Sequence, residues 1–331
     1  MKVIVIGLGS MGRRRIRLIK QFSEAYQVIG VDGQEERRTQ AEEELGIVTF
    51  PTIDAACRNG NPDAAFVSTP PLSHASIIKE CLKRGMHVFT ELNLSPLGYE
   101  DILQLSQRMN KVVFLSSTFL YRKEIQRIRE AVASQSHPLS YSYHSGQYLP
   151  DWHPWESYKA FFAGHKETNG CREIMAIEFP WITDVFGEIQ SVRVLKGRKT
   201  SLDIDFDDNY HLLIGHRNGN TGMVAVNVIS RKAVRNLEVY GEGLYLSWNG
   251  KPDGLSILDL ETKEEHTVKL YEFIDKRKEY CSSIIENAYY SEITNFFETI
   301  RGEALPEYSF EKDKTILSII DTIEKGQDYD E

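Results

Sequence analysis

At 331 residues, 41% hydrophobic and 26% charged, the chain has the balance of a folded globular protein and the length for two domains, which excludes a disordered chain. A formal net charge of −9 argues against nucleic acid as the main partner, and no apolar run approaches a membrane span. The four cysteines, Cys57, Cys81, Cys171 and Cys281, match no metal-ligand spacing, so no metal is expected and the thiols read as reduced.

The chain opens on Lys2-Val3-Ile4-Val5-Ile6, a β-branched run that reads as a buried parallel strand, and leaves no room for a leader; together with the cysteine usage this implies the cytoplasm. Gly7-Leu8-Gly9-Ser10-Met11-Gly12 follows, and a second apolar run ends at Asp32. This is a dinucleotide-binding fingerprint in its proper setting. Gly7 allows the tight turn, Gly9 lets a pyrophosphate approach the backbone, and Gly12 lets the next helix pack close to the strand. The backbone N–H groups around Ser10 and Met11 then face the phosphates. Asp32 stands where a carboxylate accepts hydrogen bonds from the adenine ribose hydroxyls, which favours NAD over NADP, although Arg37 and Arg38 just downstream weaken that preference. The Arg13-Arg14-Arg15 run reads either as help for the cofactor phosphates or, more commonly, as a solvated helix face.

Helix signals over 35–45, 53–58, 73–84 and 99–110 alternate with strand signals over 47–50, 64–68, 87–90 and 111–115. That rhythm predicts a doubly wound parallel sheet. After residue 120 a helix over 121–133, a strand over 139–148, an aromatic-rich loop and a helix over 170–186 lead into an antiparallel meander over 189–270, and helices over 284–301 and 311–325 close the chain. The fold class is therefore an α/β Rossmann domain (1–120) followed by an α+β domain with a large, mainly antiparallel sheet (121–331). Val224, Val226 and Val228 are expected on an uncovered sheet face that joins copies into a homo-oligomer.

These residues resemble the Gfo/Idh/MocA oxidoreductases, the family of glucose-fructose oxidoreductase and inositol dehydrogenase. The resemblance rests on the glycine turn with Asp32, on Ser68-Thr69-Pro70-Pro71-Leu72-Ser73-His74 beside the family's A-T-P-x-x-x-H, on Gly85-Met86-His87-Val88-Phe89-Thr90-Glu91 beside G-K-H-V-x-x-E, and on the meander. It is close over residues 1 to about 118 and loose beyond. It implies a nicotinamide cofactor touched by Thr69, Pro70, His74 and Glu91, and a substrate hydroxyl or carbonyl reacting in the cleft against the second domain. For His74 the alternative is a helix-start residue that only packs.

The departures bear on catalysis. The family's E-K-P reads Glu91-Leu92-Asn93 here, and leucine moves no proton. If Asp184 closes the family's D-x-G-x-H-x-x-D, the first aspartate falls on Ile177 and the histidine on Trp181; a slip of one places Glu178 at the aspartate. Helical spacing sets Glu173, Ile177, Trp181 and Asp184 along one face. The expected replacements are His153 and Glu173 as an acid–base pair with Glu178 in reserve, while Tyr148, Trp152, Trp155, Arg172 and Trp181 are candidates to bind a carbohydrate-like substrate by stacking and hydrogen bonds. The aromatic loop has a plainer reading as a rigid element packed on the meander. The function read from the chain is an NAD-dependent oxidoreductase acting on a sugar, cyclitol or sugar-nucleotide derivative, with a non-catalytic NAD- or sugar-binding sensor as the alternative.

Overall fold

The computed structural model describes residues 1–58, 60–154, 156–277 and 284–331. They form two compact units, Met1–Thr118 with Tyr289–Asp313, and Phe119–Ala288 with Lys314–Glu331. The sequence suggested one boundary near residue 120, whereas the chain returns to the first unit before its end.

In the first unit, strands β1 (Lys2–Ile6), β2 (Gln27–Val31), β3 (Val48–Phe50), β4 (Ala64–Val67), β5 (His87–Thr90) and β6 (Val113–Leu115) form a parallel sheet in the order β3-β2-β1-β4-β5-β6. Helices α1 (Ser10–Phe22), α2 (Glu35–Leu45), α3 (Ile53–Cys57), α4 (His74–Lys83) and α5 (Tyr99–Met109) connect them. The order reverses between β1 and β4, so their carboxyl ends diverge into the crevice where doubly wound folds bind ligands. Val3, Ile4 and Val5 are wholly buried, as the unbroken apolar run requires. Phe66, Phe89 and Phe114 stack across three adjacent strands, with centroids 4.8 and 5.3 Å apart. Phe296, from the returning segment, meets all three edge-on at 5.2 to 5.6 Å.

The second unit starts with α6 (Lys123–Ala133) and contains α7 (Gly170–Phe186). Its strands are β7 (Ser140–Gly146), β8 (Ile189–Gly197), β9 (Asn209–His216), β10 (Thr221–Asn227), β11 (Val234–Gly241), β12 (Leu244–Trp248), β13 (Leu255–Leu258), β14 (Glu265–Thr267) and β15 (Tyr329–Asp330), in the order β14-β13-β12-β11-β7-β10-β9-β8-β15. β7 and β10 run parallel and the other neighbours antiparallel. The last two helices, α8 (Glu286–Arg301) and α9 (Phe310–Glu324), each begin in one unit and end in the other.

Alternation along the strands sorts the two sheet faces. Leu237, Tyr143, Val224 and Leu212 lie side by side and buried, and α7 covers this face through Trp181 on Tyr143 and Phe186 on Tyr141. The expectation for Val224, Val226 and Val228 is corrected here, since all three are buried beneath helices. The opposite face carries Met223, Leu213 and Leu195, which are 50%, 58% and 71% exposed. Cys57, Cys81 and Cys171 are free thiols, and Cys281 lies outside the described residues. Among the described residues no helix is long and apolar enough to cross a membrane, and no group of three or more His, Cys, Asp or Glu is placed to hold a metal.

Candidate functional site

Gly7, at φ +91°, closes the turn after β1, where its N–H donates to the Val31 carbonyl at 2.8 Å. A Cβ there would lie 2.5 Å from the Ser68 carbonyl oxygen, and one on Gly12 only 1.8 Å from that of Gly7. Gly9 differs. A Cβ on it would meet nothing within 4 Å, so open space lies against the backbone where α1 begins. The first-turn N–H groups of Ser10, Met11 and Gly12 lack intrahelical partners by geometry, and no acidic side chain occupies that turn. An anionic pyrophosphate fits such a cradle. Asp32, almost buried at the end of β2, accepts from Leu8 N–H at 2.8 Å and Gln34 N–H at 2.9 Å.

Across the crevice, Thr69 and Pro70 follow β4. His74 opens α4, and both its ring nitrogens are engaged at 2.7 Å, Nε2 with the Thr69 carbonyl and Nδ1 with the Asn93 amide. Burial pushes its pKa down, its two close partners are both carbonyl oxygens, Thr69 O and Asn93 Oδ1, and the Thr90 hydroxyl lies 3.3 Å from Nδ1. His74 therefore ties the Thr69–Pro70 loop to the segment after β5. Asn93 was not singled out in the sequence, because its partner is distant in the chain.

Glu91, at the end of β5, is held by Arg15 in a two-pronged ion pair of 2.7 and 2.8 Å. Arg15 also pairs with Glu292 at 2.9 Å and lies 4.4 Å over the Phe89 ring. Burial opposes the Arg15 charge, but the two carboxylates outweigh it and raise its pKa. Burial in turn pushes Glu292 up, although it accepts from Arg15, Ser116, Ser117 and Thr118. Arg14 is buried too, 4.4 Å over the Tyr289 ring. The solvated reading of this arginine run is corrected for both residues: they fasten α1 to the unit's interior. Leu92, half-buried, stands where the family has lysine.

In the second unit, α7 runs unbroken through Pro180. Glu178 is fully buried and its carboxylate accepts from Tyr143 at 2.6 Å, Ser145 at 3.3 Å, Trp181 Nε1 at 2.6 Å and Arg235 at 2.7 Å. Four donors saturate it, which corrects its place as a reserve acid–base group. Trp181 is wholly buried with its N–H spent on Glu178, and buried Arg172 is held by Asp321 at 2.7 Å and Glu324 at 2.5 Å. Neither side chain is open to a substrate. Asp184 pairs with Arg129 at 2.8 Å.

Glu173 is the exception on this helix. Its Oε2 is buried without a hydrogen-bond partner, and burial alone pushes its pKa up to about 8. It also shares the partly open face of α7 with Ile177 and Asp184. His153 is not its partner, contrary to expectation: the imidazole Nδ1 lies 2.6 Å from Glu156, and the ring packs on Phe161. Trp152 donates to the Gln147 carbonyl at 3.1 Å, and a Cβ on Gly170 would run into it, so the aromatic loop packs directly on the start of α7. Tyr148 lies half-buried under the Arg231 guanidinium at 4.2 Å. Trp155 lies outside the described residues.

Residues 1–117 match the family described as "Oxidoreductase family, NAD-binding Rossmann fold" (GFO_IDH_MocA). The chain is 24% identical over 135 residues to myo-inositol 2-dehydrogenase of Thermotoga maritima, a match that spans 40% of each chain. Levoglucosan dehydrogenase in complex with NADH superposes with a TM-score of 0.81 at 15% identity, covering 100% of this chain and 98% of that one. The WlbA dehydrogenase from Chromobacterium violaceum, in complex with NADH and UDP-GlcNAcA, gives 0.78 at 15% identity, covering 99% and 95%. The glycine cradle, Asp32 and the strand order thus agree with the match of residues 1–117 to the NAD-binding Rossmann fold of that oxidoreductase family.

Proposed function

We propose that this chain transfers hydride between NAD and a hydroxyl or carbonyl carbon of a sugar, cyclitol or sugar-nucleotide derivative, with Glu173 as the proton-transfer group. The observation that carries the reading is a buried carboxyl with an unpartnered oxygen and a pKa pushed up to about 8, on a helix whose other acidic groups, Glu178 and Asp184, are already paired. When bound, NAD supplies the hydride donor or acceptor. Gly7, Gly9, Ser10, Met11 and Gly12 hold its pyrophosphate, Asp32 its adenine ribose, and Thr69 and Pro70 line its path, with His74 and Glu91 fixing that loop from behind. Glu173 exchanges the hydroxyl proton, a task for which a pKa near the working pH is favourable. Tyr148, Trp152 and the His153–Glu156 pair contribute stacking and hydrogen bonds to the hydroxyls. The dehydrogenases of similar fold, acting on myo-inositol or bound with NADH and a sugar derivative, support the substrate class.

Single-turnover hydride transfer with Glu173→Gln and with His153→Asn tests the assignment. Glu173→Gln is expected to slow transfer about 10²-fold or more with NADH affinity retained, and His153→Asn to act mainly on substrate affinity. Unchanged transfer in Glu173→Gln overturns it. We also infer that copies of the chain associate through the uncovered sheet face bearing Leu195, Leu213 and Met223.

A further inference from the structure

Asn227, buried at the end of β10, accepts at Oδ1 from the backbone N–H groups of Ile229 at 3.2 Å and Ser230 at 3.1 Å. Those two donors fix which way its amide points, so Nδ2 is the atom that lies 2.9 Å from His144 Nε2 on β7. An amide nitrogen only donates. His144 Nε2 must therefore accept, and the imidazole in this arrangement is neutral with its proton on Nδ1. Gly146 makes room for it, since a Cβ there would fall 2.6 Å from Asn227 Oδ1. The segment so shaped carries the start of the aromatic loop. Gln147 N–H donates to the Asn227 carbonyl at 3.3 Å, Tyr148 N–H to that of Ser230 at 2.7 Å and Leu149 N–H to that of Val228 at 3.0 Å. Trp152 in turn hangs on the Gln147 carbonyl.

A protonated His144 would turn an N–H toward the Asn227 NH2 group. Rotating the amide would only turn that NH2 toward the two backbone N–H groups, so no orientation satisfies all the donors. We propose that Asn227 and His144 are positioning residues that hold the stretch 148–152 in place for substrate only while His144 is neutral. Burial first, and second His211, across Ala225 on β9, push the His144 pKa below the ordinary 6.5. On β11, Asn236 stands opposite His144 and exposed Glu238 one pair further along the same face, while exposed Arg231 and Lys232 follow Ser230 in the turn. The two cations oppose a further positive charge here, and solvent screens Glu238. The latch is therefore closed at neutrality and opens as pH falls below the ordinary histidine range. The loop's part in substrate binding comes from the function proposed above.

The test is hydrogen exchange on the full chain, read as protection factors at about pH 7.5 and about pH 5. In the unchanged chain the Tyr148 and Leu149 amides should lose about tenfold or more of their protection on acidification, the consequence of one buried donor left unsatisfied, while the amides of β9 and β10 keep theirs. His144→Gln supplies an acceptor that does not titrate and should hold the protection at both pH values. Asn227→Asp keeps an acceptor for Ile229 and Ser230 and offers its other oxygen to a protonated imidazole, so acidification should no longer lower the protection. If Asn227→Asp disturbs the turn, His144→Gln decides. Equal protection at both pH values in the unchanged chain, a loss that His144→Gln retains, or a loss shared by β9 and β10 overturns the proposal. The exchange readout needs neither substrate nor turnover, so failure of the latch and failure of the hydride-transfer reading are told apart.

Discussion

Glu173 illustrates how one residue's surroundings set its chemistry. With burial as the cause, its carboxyl rises from the ordinary 4.5 to about 8, so the folded chain keeps a proton that the unfolded chain loses at lower pH. The stability contribution is therefore fully present below about pH 4.5 and is lost as pH climbs through about 8, at a rate on the order of 1 kcal/mol per pH unit. Glu173→Gln should flatten that slope in urea unfolding series between pH 5 and 8; an unchanged slope would show that the carboxyl ionises normally. If Glu173 moves the hydroxyl proton as proposed, the same titration acts on catalysis with opposite signs in the two directions. Oxidation, which needs a base, should rise through about pH 8, and reduction should fall over the same interval. Glu173 was visible in the sequence as a carboxylate on the right helical face, but its isolation was not. Arg15 shows the reverse. Three consecutive arginines read as a wet helix face because Glu91 and Glu292, which draw Arg15 inward, lie far off in the chain.

At the level of the element, the turn into α1 separates glycines whose Cβ would strike backbone, Gly7 and Gly12, from Gly9, whose Cβ would meet open space. Gly12→Ala puts a methyl 1.8 Å from a backbone oxygen and should cost more than about 2 kcal/mol, because neither backbone has room to yield. Gly9→Ala, at φ −68° with empty space around its Cβ, should leave the melting temperature nearly unchanged while weakening NADH by about tenfold or more, about the worth of one charge-assisted hydrogen bond. Calorimetry and titration on the two variants check this, and equal effects on stability would refute the division. This element was fully legible because strand, turn and helix are contiguous and their signals local. The meander was legible only in part. Alternation along β10 was plain, yet which set faces inward depends on where α7 lies, and no local pattern records that. Buried Val224 was therefore assigned to the wrong side.

For the whole molecule, the open sheet face is where copies of the chain are proposed to associate. Met223 and Leu213 pair across β10 and β9, Arg193 stands beside Leu213 on β8 and Leu195 lies diagonally from it, an uncovered and partly apolar patch of the kind buried between subunits. Sedimentation at micromolar concentration should give a species heavier than the 38.0 kDa chain, and Leu213→Glu with Met223→Glu should return it to that mass. A single 38.0 kDa species in the unchanged protein would refute this. The change of rhythm near residue 120 was read as the one boundary, and the grouping of residues 289–313 with the first unit was not read, since a helix carrying Phe296 and Phe297 reads alike in either unit.

That return dictates an order of events on the ribosome. Phe296 and Glu292 are made only after every strand from β7 to β14 has left the peptidyl centre. Until then the stacked rings of Phe66, Phe89 and Phe114 lack their cover, and Arg15 lacks one of its two carboxylates. The first unit is thus begun before the second and completed only after strands β7 to β14 of the second have been made. A nascent chain must carry an uncovered aromatic surface through most of its synthesis, and a ribosome that stalls late releases a product whose first unit is unfinished even though nearly all of its own residues are present.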